Sequence, residues 1–209
     1  MRVIRAADLA TKVLLVALLL LALIYPDLSN LKARGASARL VVYPLGVLAV
    51  PIWWWVWGRR ASAGRPFPWL ADLLVTSPWT VDLLGNRLNL FDTVTWWDDL
   101  MHFTNWLLLT AGVLLAWPAI RWAGLGLTVM VGLGFGAPAG LAWELGEWFW
   151  FIRRWPSPGI AYRDTLGDMT LGTLGSLAAS LSVGLMVKRA EHPGDMAEPT
   201  STRGSRIAA

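Results

Sequence analysis

The chain has 209 residues, 56% hydrophobic and 15% charged, with a mean hydropathy of +0.50 and a formal net charge of +4. That balance excludes an ordinary soluble domain, and the basic residues are scattered over loops and segment ends rather than gathered in a patch, so no nucleic-acid partner is expected. The absence of cysteine excludes disulfides, thiolate metal sites and cysteine nucleophiles.

The first apolar run, residues 6–25, has Arg2, Arg5 and Lys12 ahead of its core and Pro26-Asp27 behind it. No small-residue cleavage site follows closely, which reads as an uncleaved first helix rather than a signal peptide. The second run, residues 38–57, contains Pro44 and Pro51, predicted to kink it, and ends in a Trp53-Trp54-Trp55 belt before Arg59 and Arg60. The third, residues 69–91, is interrupted by Asp72, Asp82, Asn86 and Arg87; it is predicted to span, with an interfacial amphipathic helix as the alternative. Residues 100–120, 124–151 and 165–187 are each long enough to cross about 30 Å of hydrocarbon. The expected fold is therefore all-α: one polytopic transmembrane helical bundle of about six spans over residues 1–187. Residues 188–209, with Pro193, Pro199 and the solvated His192, are expected to form a disordered polar tail. With a cytoplasmic N-terminus, six crossings put about eleven Lys and Arg inside and about seven outside, and five crossings about ten and eight, so charge bias barely separates the two topologies.

Ionisable side chains are expensive in a membrane and mark function when they cluster. Three short motifs do so: Asp98, Asp99 and His102; Glu144 and Glu147; Asp164 and Asp168. Alternation of the spans puts the start of one helix, the end of the next and the start of the last on the same side, expected to be external. Within each motif the spacing is three or four residues, one helical face. Gly132, Gly136 and Gly140 step by four to Glu144, and Asp168 is followed at the same step by Gly172, Ser176, Ser180 and Gly184. Small residues let helix backbones approach closely in lipid, so the Glu144 helix is predicted to pack on the Asp168 helix, with Pro138 bending the former. Such rows are also a surface for homo-oligomers, although use within the bundle is expected.

Carboxylates gathered this way need shared protons or positive charge. Arg153, Arg154 and Arg163 are near in sequence; a bound cation is the other solution. Carboxylates with one imidazole and no thiolate suit Mg²⁺, Mn²⁺ or Fe²⁺. All seven motif residues are candidate metal ligands, and His102, Glu144 and Asp168, about one turn deeper than the helix-start acids, are the candidate catalytic groups. A structural charge network is the alternative, since Asp98 and Asp164 stand where a helix N-terminus favours negative charge. Trp96, Trp97, Trp106, Trp143, Trp148, Trp150 and Trp155 surround the motifs, as interfacial anchors or as the lining of a lipid path.

The segments Trp97-Asp98-Asp99-Leu100-Met101-His102-Phe103, Trp143-Glu144-Leu145-Gly146-Glu147-Trp148 and Asp164-Thr165-Leu166-Gly167-Asp168-Met169, with Gly175 following, resemble the YjdF-type family of bacterial inner-membrane proteins. That family has a similar Asp and His motif, a Trp-Glu-x-x-Glu segment and an Asp-Thr-x-x-Asp motif in this order. The resemblance covers roughly residues 69–187 and implies a multi-pass bacterial inner-membrane protein. A more distant similarity is to VanZ-like proteins, linked with glycopeptide resistance. The chain departs from them at Glu147, where Gln is typical, and at Asp168 and Gly172, so no resistance role is carried over.

Three functions compete. The favoured one is a metal-dependent enzyme at the membrane interface, acting on a membrane lipid or lipid-linked envelope substrate with His102 as general acid or base. A cation- or proton-coupled transporter is the second, supported by Asp72 and Asp82 and opposed by the lack of an internal repeat. A structural scaffold is the third. No nucleotide-binding loop or nucleophile elbow names a reaction.

Overall fold

A computed structural model describes residues 1–25, 27, 36–61, 64–150, 152–154 and 158–191. These form α1 (Arg2–Ile24), α2 (Ala36–Trp53), α3 (Arg59–Ala61), α4 (Trp69–Arg87), α5 (Leu90–Thr93), α6 (Trp97–Ala116), α7 (Leu125–Trp150) and α8 (Pro158–Glu191), with no strand among them. The all-α bundle is as expected. A π-helical turn, Trp54–Gly58, joins α2 to α3 just after Pro51, where the missing N–H loosens the helical ladder. α7 passes through Pro138 as one continuous helix.

Five segments, Arg2–Ile24, Ala38–Ala61, Trp97–Ala116, Leu125–Trp150 and Gly159–Ala190, are long and apolar enough to cross a membrane. The expected sixth, residues 69–91, is too polar to be one of them and divides into α4 and α5 around Asn89, whose left-handed backbone, φ 59°, turns the chain. Even so, α4 runs the length of the bundle. At its start the Arg5 guanidinium of α1 lies over the Trp69 ring, 5.1 Å from the centroid, and near its end Asp82 meets Arg39 at the beginning of α2. Enclosure by α1, α2 and α6 explains how so polar a helix is tolerated. Asp72, Thr76, Thr80 and Asn86 are buried against protein rather than turned to lipid.

The other helices pack in the order that the small-residue rows predict. α8 lies against both α6 and α7. A Cβ at Gly132 would strike Ser180 and one at Gly136 would strike Ser176, while the Thr110 hydroxyl of α6 donates to Ser176 Oγ at 3.0 Å. Gly140 and Gly172 leave the room that the Trp106 indole occupies. The closest approach to backbone is at Gly175, where a Cβ would run into the main-chain carbonyl of Phe103.

Two boundaries differ from expectation. α8 begins at Pro158, so Asp164 and Asp168 lie within its second and third turns rather than opening it. It also runs through Glu191, so Lys188, Arg189, Ala190 and Glu191 are helical rather than part of the polar tail. His192 and the rest of that tail, Pro26, and Trp155 lie outside the described residues.

The contact at Gly175 has backbone on its far side and cannot yield cheaply. Gly175→Ala is expected to destabilise the bundle by about 1–3 kcal/mol, the usual cost of overpacking. Gly146→Ala, with open space at its Cβ, should leave the unfolding midpoint in detergent unchanged.

Candidate functional site

α6 begins at Trp97, which puts Asp98 and Asp99 in its first turn, where the helix dipole favours acids. Asp98 and His102, four apart, share a face; Asp99, rotated by a third of a turn, is exposed and does not reach the site. The Gly175 contact holds α8 against α6 beside His102, and the Gly136–Ser176 contact sets α7 alongside. Asp168 and Glu144 thereby arrive on either side of the imidazole.

His102 is the hub. Its Nε2 stands 3.7 Å from Asp98 Oδ1 and 3.6 Å from Asp168 Oδ1, while Nδ1 stands 3.8 Å from Glu144 Oε1. These separations exceed hydrogen-bond length. Two ligands held at about 2.1 Å from one ion stand about 3.0 Å apart at right angles and about 4.2 Å apart when opposed, and the Nε2 distances fall between. Asp98, His102 and Asp168 offer ligand atoms that all lie within 4.8 Å of one another. This donor set of two carboxylates and an imidazole fits a divalent ion of the Mg²⁺, Mn²⁺ or Fe²⁺ kind.

Glu144 takes a different position from the one its motif suggested. It is 4% exposed, faces the opposite ring nitrogen, and its Oε2 has no hydrogen-bond partner among the described residues. Asp164 and Glu147 line the cavity in front of His102 without joining the three-residue group. Of the seven candidates, the structure gathers six around one site and leaves Asp99 outside.

The cavity has a volume of about 480 Å³. Its walls carry Asp98, His102, Asp168, Asp164 and Glu147 together with Arg39, Tyr43 and Asp82. Arg39 Nε donates to Asp82 Oδ2 at 2.9 Å, and the Tyr43 hydroxyl donates to the same oxygen at 2.5 Å. This cluster was missed as part of the site because its members stand singly in apolar sequence. Asp82, the residue that breaks the third apolar run, was the available signal. Among the described residues, Arg39 of α2 brings positive charge to the cavity. Among the described residues Arg153 and Arg163 form no ion pair with the acids, and Arg153 lies 5.9 Å over the Phe149 ring.

The aromatic residues divide in two. Trp106 and Trp143 line the cavity, joined by Trp79, Tyr43 and Phe91. Trp96, Trp148 and Trp150 are exposed on the outside of the bundle, as interfacial anchors are. Trp97 packs edge-on against Phe91, with ring centroids 6.3 Å apart.

Compared with protein-family models, curated proteins and solved structures, the chain matches none.

Asp82 is 14% exposed and Arg39 11%, so removing one partner strands the other's charge. Asp82→Asn is expected to cost about 3 kcal/mol in detergent unfolding. Tyr43→Phe, which removes only one donor to Asp82, should cost about 1.5–3 kcal/mol, the range for a hydrogen bond to a charged group.

Proposed function

We propose that this chain is a bacterial inner-membrane enzyme of the YjdF-like type, whose Asp98, His102 and Asp168 hold a divalent metal and act on a lipid or lipid-linked envelope substrate at the external face. The observation that carries this reading is the spacing around His102: two carboxylates meet one ring nitrogen at 3.6–3.7 Å while a third, buried, stands behind the other. The family resemblance rests on the three motifs.

A bound divalent ion supplies Lewis-acid polarisation of a phosphoryl or acyl oxygen. The chain's own residues divide the remaining work. Glu144 stands behind the imidazole of His102, on its Nδ1 side. Glu147 and Asp164, on the cavity wall beside the three ligands, are the groups placed to take or return a proton. Arg39, fixed by Asp82, offers a positive charge in the same cavity for an anionic headgroup. Trp106, Trp143 and Trp79 form the apolar part of the wall, against which an acyl or glycan portion can lie.

Metal content separates these roles. Purified protein loaded with Mn²⁺ is expected to bind about one equivalent, and Asp168→Asn to bind none. Glu144→Gln should still bind, with affinity weaker by about 10–100-fold. Absence of metal from the folded parent after loading, or turnover of extracted envelope lipids that survives Asp168→Asn, would overturn the assignment.

A further inference from the structure

A second group of charges lies at the other end of α4. Asp8 and Lys12, one turn apart on α1, meet Asp72 in the first turn of α4. Lys12 Nζ donates to Asp8 Oδ2 at 2.8 Å and also, at shorter range, to Asp72 Oδ2. The side chains of both aspartates are dry, 0% and 1% exposed. Asp82, at the cavity already described, is ten residues along α4 from Asp72, about 15 Å away.

Two carboxylates against one ammonium leave one negative charge over. Among the described residues no further cation pairs with either aspartate, and Arg5, the nearest on α1, is engaged with the Trp69 ring. From α6, the contact at this level is Gly112 against Ala71 and Val75, which offers no charge.

Independent of the charge count, three buried oxygens here lack a hydrogen-bond partner among the described residues: Asp8 Oδ1, Asp72 Oδ1 and Thr76 Oγ1. Thr76 is 0% exposed and stands one turn beyond Asp72. One turn further, the Thr80 hydroxyl donates to the main-chain carbonyl of Thr11 on α1 at 3.4 Å. Asp72 and Thr80 both touch α1, so Thr76, one turn from each, lies on the same face of α4, at its seam with α1.

We propose that Asp8, Asp72 and Thr76 form a binding site for one monovalent metal cation, of the charge and hardness of Na⁺, between α1 and α4. A single positive charge closes the balance that Lys12 leaves open, whereas a divalent ion would leave an excess of positive charge in a dry site. The donors are all hard oxygens, two anionic and one neutral, as alkali and alkaline-earth cations require. Occupancy ties the N-terminal helix to the polar helix α4, so the ion stabilises the folded bundle by mass action. This site stands apart from the proposed reaction at His102 and does not depend on it.

The test is thermal unfolding of the full chain in detergent, with NaCl replaced by KCl or choline chloride at constant ionic strength. The parent midpoint should rise saturably with Na⁺ and not with choline. Asp8→Asn leaves Lys12 balanced by Asp72 alone and should abolish the Na⁺ response. Thr76→Val, which changes no charge and serves where Asp8→Asn fails to fold, should raise the Na⁺ concentration needed for the same shift. Asp168→Asn should retain the parent response, which separates this site from the one at His102. Equal midpoints in Na⁺ and choline, or a Na⁺ response unchanged by Thr76→Val and Asp8→Asn, would overturn the site. A Na⁺-insensitive parent that shows a protonated-carboxyl infrared band, lost in Asp8→Asn, would assign the missing charge to a proton and equally overturn it.

Discussion

The close approach of α8 to α6 and α7 is the constraint on which the rest of this structure depends. Lipid offers no hydrophobic drive for helices to associate, so contact has to come from close packing and hydrogen bonds between them. Gly175 under the Phe103 carbonyl, Gly132 and Gly136 against Ser180 and Ser176, and the Thr110–Ser176 hydrogen bond provide both. Because this contact begins within two turns of Asp168, it also fixes where the carboxylates stand relative to His102. Packing and site share one set of small residues.

α4 answers a different problem. A helix carrying Asp72, Thr76, Thr80, Asp82 and Asn86 is unfit to face lipid, and its neighbours supply what it lacks. α1 brings Lys12 to its first turn and α2 brings Arg39 to Asp82 in its fourth, so the helix is tied to a partner by an ion pair near each end. The apolar cluster of Leu15, Leu18, Ala22, Tyr43 and Leu83 closes the space between them. Burying charge in this way adds little net stability, because desolvation offsets the attraction, but it penalises any arrangement that separates the partners. The register of α1 and α2 on α4 follows from that penalty.

Much of the candidate site was legible in sequence because its residues recur at helical spacing. Asp98 with His102, Glu144 with Glu147, and Asp164 with Asp168 each declare a face, and the Gly and Ser rows declare which faces meet. What spacing does not carry is rank. Glu144, Glu147, Asp164 and Asp168 look alike in a motif, yet Glu144 sits behind the imidazole, Asp168 beside Nε2, and the other two on the cavity wall. Asp99 is adjacent to a ligand candidate and is exposed, a consequence of the 100° step per residue along α6.

The sequence by itself determined the fold class, the five strongly apolar crossings, the side on which the three motifs meet, and the pairing of α7 with α8. Each of these follows from local composition or period, which survive without knowledge of neighbours. Only the tertiary structure decided the fate of α4, the membership of Arg39, Tyr43 and Asp82 in the cavity, and the triad of Asp8, Lys12 and Asp72. Apart from Asp8, which is four residues from Lys12, those residues lie 39–60 positions from their partners, and a lone charge in an apolar run reads the same whether it faces lipid or a counter-ion. The difference lies in which helix stands opposite, and that is a property of packing rather than of sequence period.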